Sequence, residues 1–320
     1  MNRTDKLKKR WYRFLVEKQN FGFYIAFTNA VWPCITHLPS VIAEFIMSRK
    51  HKMVFEYIQK VIGNRISTYH FHASIMEIEH KSKIWVCWLQ GEDNMPEVVK
   101  YCLNSIRKNA NGHPVIIITL RNYAEYCTIP HYIIKLHDEG KIGHAHFTDI
   151  IRTCLLYEKG GVWIDATMLV TKGLPSSLFD SNFYSCKFPN YGYYVTKCRW
   201  SNFFLCAKAG SPMFDFVRMC FFEYLKKEVF FIDYFMMDYF MCLGYEYVKE
   251  IREAVEHVPM NNIQIHSLSH LINKPCDDNE FKRFISQDTF LFKLSWKSEY
   301  RETVNEHPTY WMQIKQRYCN

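Results

Sequence analysis

His146-Phe147-Thr148-Asp149-Ile150-Ile151-Arg152, running on to Gly160-Gly161-Val162-Trp163-Ile164-Asp165-Ala166-Thr167, is the stretch whose reading decides the fold. Phe147, Ile150, Ile151, Cys154 and Leu155 recur at three- and four-residue steps, which predicts a helix from about His146 to Lys159 with one buried face. Asp149 and Arg152, three apart, share a neighbouring face of that helix. Gly160-Gly161 supplies a left-handed cap and a tight reversal, after which the period changes to two and predicts a strand over Val162 to Val170. On such a strand Trp163, Asp165 and Thr167 point one way and Ile164, Ala166 and Met168 the other.

Working upstream, Ile84 to Leu89 reads as a buried strand, and Asn94 with Pro96 opens a helix whose apolar face is Val98, Val99, Cys102, Leu103 and Ile106. The Asn111-Gly112 turn leads into a second strand, Val115 to Leu120, and strand-helix-strand in this order implies a parallel crossover. A helix follows near Pro130 to Glu139. The class is therefore α/β, and ligands of open α/β sheets sit at the carboxyl ends of strands, after Leu89 and around Asp165.

Downstream, strands are expected at Phe183 to Phe188, Asn202 to Ala207 and Thr289 to Ser295, with helices from Ser211-Pro212 to Leu225, from Ile232 to Glu256 and from Tyr310 to Tyr318. Residues 1–82 read as an N-terminal helical extension, with Pro39 in a first helical turn and Val41 to Ile62 carrying apolar residues at helical steps. Residues 83–300 form the main domain and 301–320 a C-terminal tail. No repeat or Gly/Ser linker separates a further domain.

With 48% hydrophobic and 17% aromatic residues, the 320-residue chain can bury a large core. Five of its eight net positive charges fall in the first 20 residues, beside apolar Leu7, Trp11, Phe14 and Leu15 at helical spacing. A nucleic-acid groove would spread its basic residues, so no nucleic acid is expected; peripheral membrane contact through 1–20 is expected, against the alternative of a solvated helix on the core. The twelve cysteines form no Cys-x-x-Cys pair and read as reduced core residues. No signal peptide is visible, and Phe21 to Pro39, with Asn29, Pro33 and His37, makes a poor spanning helix, which points to the cytoplasm, at the inner face of the cell membrane.

A helix carboxylate and guanidinium side by side can hold sugar hydroxyls from two sides, and Asp165 stands on a strand end facing the same region. The segment resembles the bacterial capsular polysaccharide synthesis glycosyltransferases, and more distantly the families sharing an Asp-x-x-Arg helix, a Gly-Gly turn and an Asp-x-Asp strand end. Trp88-Leu89-Gln90-Gly91 and Leu294-Ser295-Trp296-Lys297 flank it as landmarks. The resemblance implies a GT-A-like mixed sheet flanked by helices and a nucleotide-sugar donor, most simply UDP-linked. It further implies retention of configuration and a capsule glycan or lipid-linked oligosaccharide as acceptor.

By that resemblance Asp149 and Arg152 hold the donor sugar, with Asp165, Asp149 and Arg152 as the catalytic set. Asp165 contacts ribose, sugar or a metal, Trp88 lies near the base, Gln90 and Thr167 belong to the donor-binding set, and Ser295, Trp296 and Lys297 close over the diphosphate. Mn²⁺ or Mg²⁺ bound through Asp165 is expected as cofactor, yet Thr167 stands where the second carboxylate of Asp-x-Asp would be, and a hydroxyl is a weak ligand for such ions. Lys293 and Lys297 are the substitutes to consider for that charge. Thr167 also leaves open a non-catalytic nucleotide-sugar or glycan-binding protein of the same fold.

Arg152 is expected to serve the ligand without holding the fold. If the reaction inverts, Asp233 or Asp238 is the first base to test, although both read as helix-surface acids. His137, His144 and His146 lack a partner at zinc spacing; His146 could cap the donor helix or touch the acceptor, and Asn202 could reach a sugar or form a turn. The aromatic run from Phe214 to Tyr247 has core spacing more than that of a sugar-stacking platform. No dinucleotide, phosphate-loop or serine-hydrolase motif occurs.

Overall fold

Successive residues of each central strand enter opposite halves of the core, which sets the layers of the molecule. Trp85, Cys87, Trp163, Leu205 and Ala207 pack into one apolar cluster, while Ile84, Val86, Val162, Ile164, Phe204 and Cys206 pack into the other. A sheet whose residues are buried on both faces needs helices on both sides. The computed structural model describes residues 3–71, 82–189 and 192–319.

Three helices, α1 (Arg3–Phe21), α2 (Phe23–Ile35) and α3 (Ser40–Ser67), precede β1 (Ile84–Cys87), α4 (Glu97–Lys108) and β2 (Val115–Ile118). Next come α5 (Tyr123–Tyr126), α6 (His131–Asp138), α7 (His144–Glu158), β3 (Gly161–Ile164), β4 (Met168–Val170), β5 (Tyr184–Ser185) and β6 (Phe204–Ala207). Then α8 (Pro212–Leu225), α9 (Met236–Tyr247), α10 (Lys249–Glu256) and β7 (Leu291–Lys293) lead towards a final helix, Tyr310–Tyr318. The main sheet has the order β2-β1-β3-β6-β5; β1 is parallel to β2 and β3, and β6 is antiparallel to β3 and β5. The architecture is thus α/β, as the alternation of periods implies, with the mixed sheet flanked by helices that the family resemblance implies.

The glycine pair behaves as its sequence position demands. Gly160 and Gly161 adopt φ of 63° and 98°, and a Cβ would lie 2.5 Å from the Ala209 nitrogen at the first and 2.3 Å from the Lys83 carbonyl oxygen at the second. No other residue combines the left-handed turn with so close an approach of three chain segments.

The strand expected over Val162 to Val170 is two strands. β3 ends at Ile164, the chain turns through Asp165-Ala166-Thr167 with Met168 N donating to Asp165 O, and β4 pairs antiparallel with β7 in a separate sheet. Both pieces are extended, so the period of two survives the change of sheet. The long helix expected from Ile232 to Glu256 breaks at Val248, an extended β-branched residue, and starts only at Met236 because Asp233 Oδ1 ties down Phe235 N.

Pro39 caps α3 from outside instead of lying in its first turn, and Pro96 does the same for α4, leaving Asn94 to close a short 3₁₀ turn by donating to Gln90 O. Of Phe183 to Phe188 only Tyr184–Ser185 is strand, because Phe188 N turns aside to Cys198 O. The helical reading of residues 72–81 lies outside the described residues. Trp311, Ile314 and Tyr318 of the last helix are buried in the core half that also holds the α4 face. Among the described residues no helix is long and apolar enough to cross a membrane.

Candidate functional site

Where β3 leaves the main sheet its end meets the buried face of α7. Arg152 of α7 reaches across this junction: its guanidinium is 3.3 Å from Asp149 Oδ1 and 3.5 Å from Asp165 Oδ1, lies 4.7 Å from the centre of the Trp163 ring, and donates to Asn202 O. Asp165 is held from the other side by Lys293 of β7, whose Nζ is 3.3 Å from Oδ2 and also donates to Thr167 Oγ1. Trp163 Nε1 donates to Asp165 Oδ1 at 3.0 Å, which fixes that carboxylate in place. The strand break is what makes this possible, since Leu294 N donates to Thr167 O and so brings the β7 side chain against the turn.

A second carboxylate sits beside this chain of charges. Asp238 of α9 accepts from Trp200 Nε1 and Asn202 Nδ2, both at 2.9 Å, with Oδ1 as the acceptor in each. Burial pushes the Asp238 carboxyl up to about 6 despite these donors, and it pushes Asp149 up to about 7 against the attraction of Arg152. Burial acts the same way on Asp165, but Lys293 and Arg152 outweigh it and hold that carboxyl below the ordinary value. Three acids therefore share one site with Asp165 charged and Asp149 and Asp238 poised near neutrality.

That arrangement fixes a pH dependence. Asp149 has a higher pKa folded than unfolded, so the folded chain holds a proton that the unfolded chain has released between about pH 4 and pH 7. Stability should then fall as pH rises through that window, by at most about 1.4 kcal/mol per pH unit for one proton, and level off above it. Denaturant unfolding of the Asp149→Asn protein should show a flatter profile than wild type; identical slopes would exclude Asp149 as the group responsible.

All nine residues assigned to the donor from sequence line one cleft of about 1460 Å³: Trp88, Gln90, Asp149, Arg152, Asp165, Thr167, Ser295, Trp296 and Lys297. Trp88 and Trp296 meet edge to face at 6.3 Å across its rim, with exposed Gln90 and Lys297 beside them. Arg152 Nε and Asn202 Oδ1, both on cleft-lining residues, are buried without a hydrogen-bond partner. Groups left so are costly unless something satisfies them, at ~1–3 kcal/mol each.

The sequence model of the family described as capsular polysaccharide synthesis protein matches residues 35–314, which takes in all nine of these residues. The chain belongs to the capsular polysaccharide synthesis protein family. No curated protein matches it. Membership carries involvement in capsular polysaccharide synthesis, a biosynthetic role, and gives the cleft of this capsular synthesis protein its context.

Among the described residues the protein's own side chains do not by themselves make up a divalent-cation site, so Mn²⁺ or Mg²⁺ here would be held through Asp165 together with donor phosphate oxygens. Such ions take six or more oxygens or keep several waters, yet among the described residues no group of three His, Cys, Asp or Glu side chains could hold a metal. Both Asp165 oxygens are engaged by Trp163, Arg152 and Lys293, and Thr167, in the second Asp-x-Asp position, is engaged by the same lysine.

Other assignments are revised by the tertiary contacts. Asp233 and Asp238 are not helix-surface acids: Asp233 is buried against Lys50 of α3 at 2.5 Å, and Asp238 lines the cleft. Helical wheels could not find Lys50, which is drawn inward only because an acid from a distant segment meets it. His137 and His144 hydrogen-bond each other at 2.9 Å, while His146 turns from the cleft to Phe231 and donates to Tyr234 O. Gly143, not His146, caps α7. Most of the Phe214 to Tyr247 aromatics are core, with Tyr234, Phe235 and Tyr239 reaching the cleft. Ten of the twelve cysteines are buried.

Proposed function

We propose that this chain is a GT-A-like glycosyltransferase that moves a sugar, of hexosyl or N-acetylhexosaminyl type, from a nucleotide-diphosphate donor to a capsule glycan or lipid-linked oligosaccharide. The observation that carries the reading is the convergence of Asp149, Arg152, Asp165 and Lys293 on one cleft at the carboxyl end of β3. The work proceeds at the cytoplasmic face of the membrane. A cleft of this volume exceeds the usual ~300–1,000 Å³ of a small-molecule site, which suits a donor and an acceptor together.

In this reading Asp149, Asn202 and Asp238 take sugar hydroxyls, the unpaired Asn202 Oδ1 receiving one of them, and Trp88 and Gln90 border the base. Lys293 stands in for the missing second carboxylate and its cation: its ammonium stabilises the charge that grows on the leaving diphosphate. Ser295 and Lys297 border the same phosphates. Breaking the anomeric bond leaves its electron pair on the departing phosphate oxygen, which takes the acceptor proton while the acceptor oxygen bonds the sugar on the same face, giving retention.

Donor hydrolysis measured with Mn²⁺, with Mg²⁺ and with a chelator tests this directly. Wild type should keep a substantial fraction of its rate in chelator, and Lys293→Met should lower the rate by ~10-fold or more, as loss of a preorganised donor does. A rate that vanishes in chelator and is indifferent to Lys293→Met would return the role to a cation. The second reading, a nucleotide-sugar binder without turnover, is favoured by Thr167 alone; tight donor binding with no hydrolysis would establish it.

A further inference from the structure

Ten of the eighteen large hydrophobic side chains exposed among the described residues lie within the first 45, on α1, α2, the α2–α3 turn and the start of α3. Aromatic rings run from α1 onto α2 without a break: Trp11 to Phe14 at 5.5 Å, Phe14 to Phe23 at 6.2 Å, Phe23 to Phe27 at 5.8 Å. At the start of α3, Val41 and Phe45 are 77% and 75% exposed, one helical turn apart, while Ala43 and Met47 of the same turns face inward. Patches of this kind on a soluble chain mark a contact surface.

The charge around them selects the partner. Between Leu7 and Phe55 the sequence has eight basic residues and two acids, Glu17 and Glu44; Lys50 is buried on Asp233 and Glu17 is buried and paired with Arg13, so the balance of the rest stays basic. We infer that the outer face of α1, α2 and the first turns of α3 seats on an anionic phospholipid surface, the apolar rings entering the interface and the basic residues meeting the headgroups. The contact is thus wider than residues 1–20.

The placement has a consequence for the cleft. Trp32 of α2 and Met47 of α3 line it, and Trp32 packs 5.9 Å from Tyr194 at the same wall. The helices that touch lipid outside therefore contribute side chains to the cleft inside, which sets that wall of the cleft next to the bilayer where a lipid-linked acceptor lies. This last step rests on the transferase reading; the surface itself does not.

Full-length protein sedimented with phosphatidylglycerol-containing and with pure phosphatidylcholine vesicles tests the surface without any donor. Wild type should bind the anionic vesicles, lose binding in high salt, and lose ~10-fold or more of its partitioning on Val41→Ser/Phe45→Ser, the cost of withdrawing two large apolar groups from an apolar contact. Donor hydrolysis in solution should be unchanged by that pair, since both side chains point to solvent. Equal binding by wild type and variant, or no binding by wild type, overturns the inference. A dimer in sedimentation velocity that the same pair dissolves, without vesicle binding, overturns it in favour of a second copy of the chain. Loss of vesicle binding with hydrolysis intact separates this surface from the chemistry of the cleft.

Discussion

Asp165→Asn is expected to lower donor turnover ~10²-fold or more, about 2.7 kcal/mol of transition-state stabilisation, while leaving the fold intact. The substitution keeps the shape of the side chain and removes one charge from a cluster in which that charge positions two cations. Lys293 and Arg152 both lean on Asp165, and without it each is free to follow other partners. The effect should therefore appear in kcat more than in the KM for the donor, because the cations are needed most when charge develops on the leaving group. Steady-state kinetics with a circular-dichroism check of folding reads this; wild-type kinetics would remove Asp165 from the site.

Arg152→Ala is expected to cost stability as well as activity. Its guanidinium lies between two acids in a buried setting and is stacked on Trp163, so truncation strips Asp149 and Asp165 of a cation and opens space above the indole. Removing one partner of a buried pair costs ~3–5 kcal/mol, chiefly through the charge left behind. Asp149 can escape by taking a proton, since its carboxyl is already up at about 7, which tempers the loss at low pH. Denaturant unfolding should show a lower midpoint for Arg152→Ala at pH 8 than wild type, and a smaller gap at pH 6. Adding Asp149→Asn should recover part of the loss, in the manner of a double-mutant cycle. A midpoint equal to that of wild type would mean that Arg152 serves the ligand alone, as the sequence by itself suggests.

Much of the scaffold is legible in the sequence because its signals are local. The Gly160-Gly161 reversal, the buried face of α7 and the parallel pair β1 and β2 follow from period and glycine placement, and the structure has each of them. Boundaries failed where a distant segment intervened. β7, more than 120 residues downstream, draws Met168 to Val170 away from the main sheet, and no property of the Val162 to Val170 run reveals this. Asp233 fails for the same reason: a charged residue on an amphipathic stretch reads as surface until Lys50 is known to meet it.

For the site, the sequence by itself determined the residue types and their register: Asp149 and Arg152 on one helix, Asp165 two residues past Trp163 at a strand end, and Thr167 in place of a second acid. Side-chain period along a helix or strand is a property of the backbone and needs no partner. Only the tertiary structure decided that Lys293 stands against Asp165 and Thr167, that Asp238 and Asn202 complete the wall, and that α2 and α3 form both a cleft wall and an exposed apolar face. Those are contacts between segments far apart in the chain, and the burial and ion pairs that set the charge state of each acid exist only once they meet.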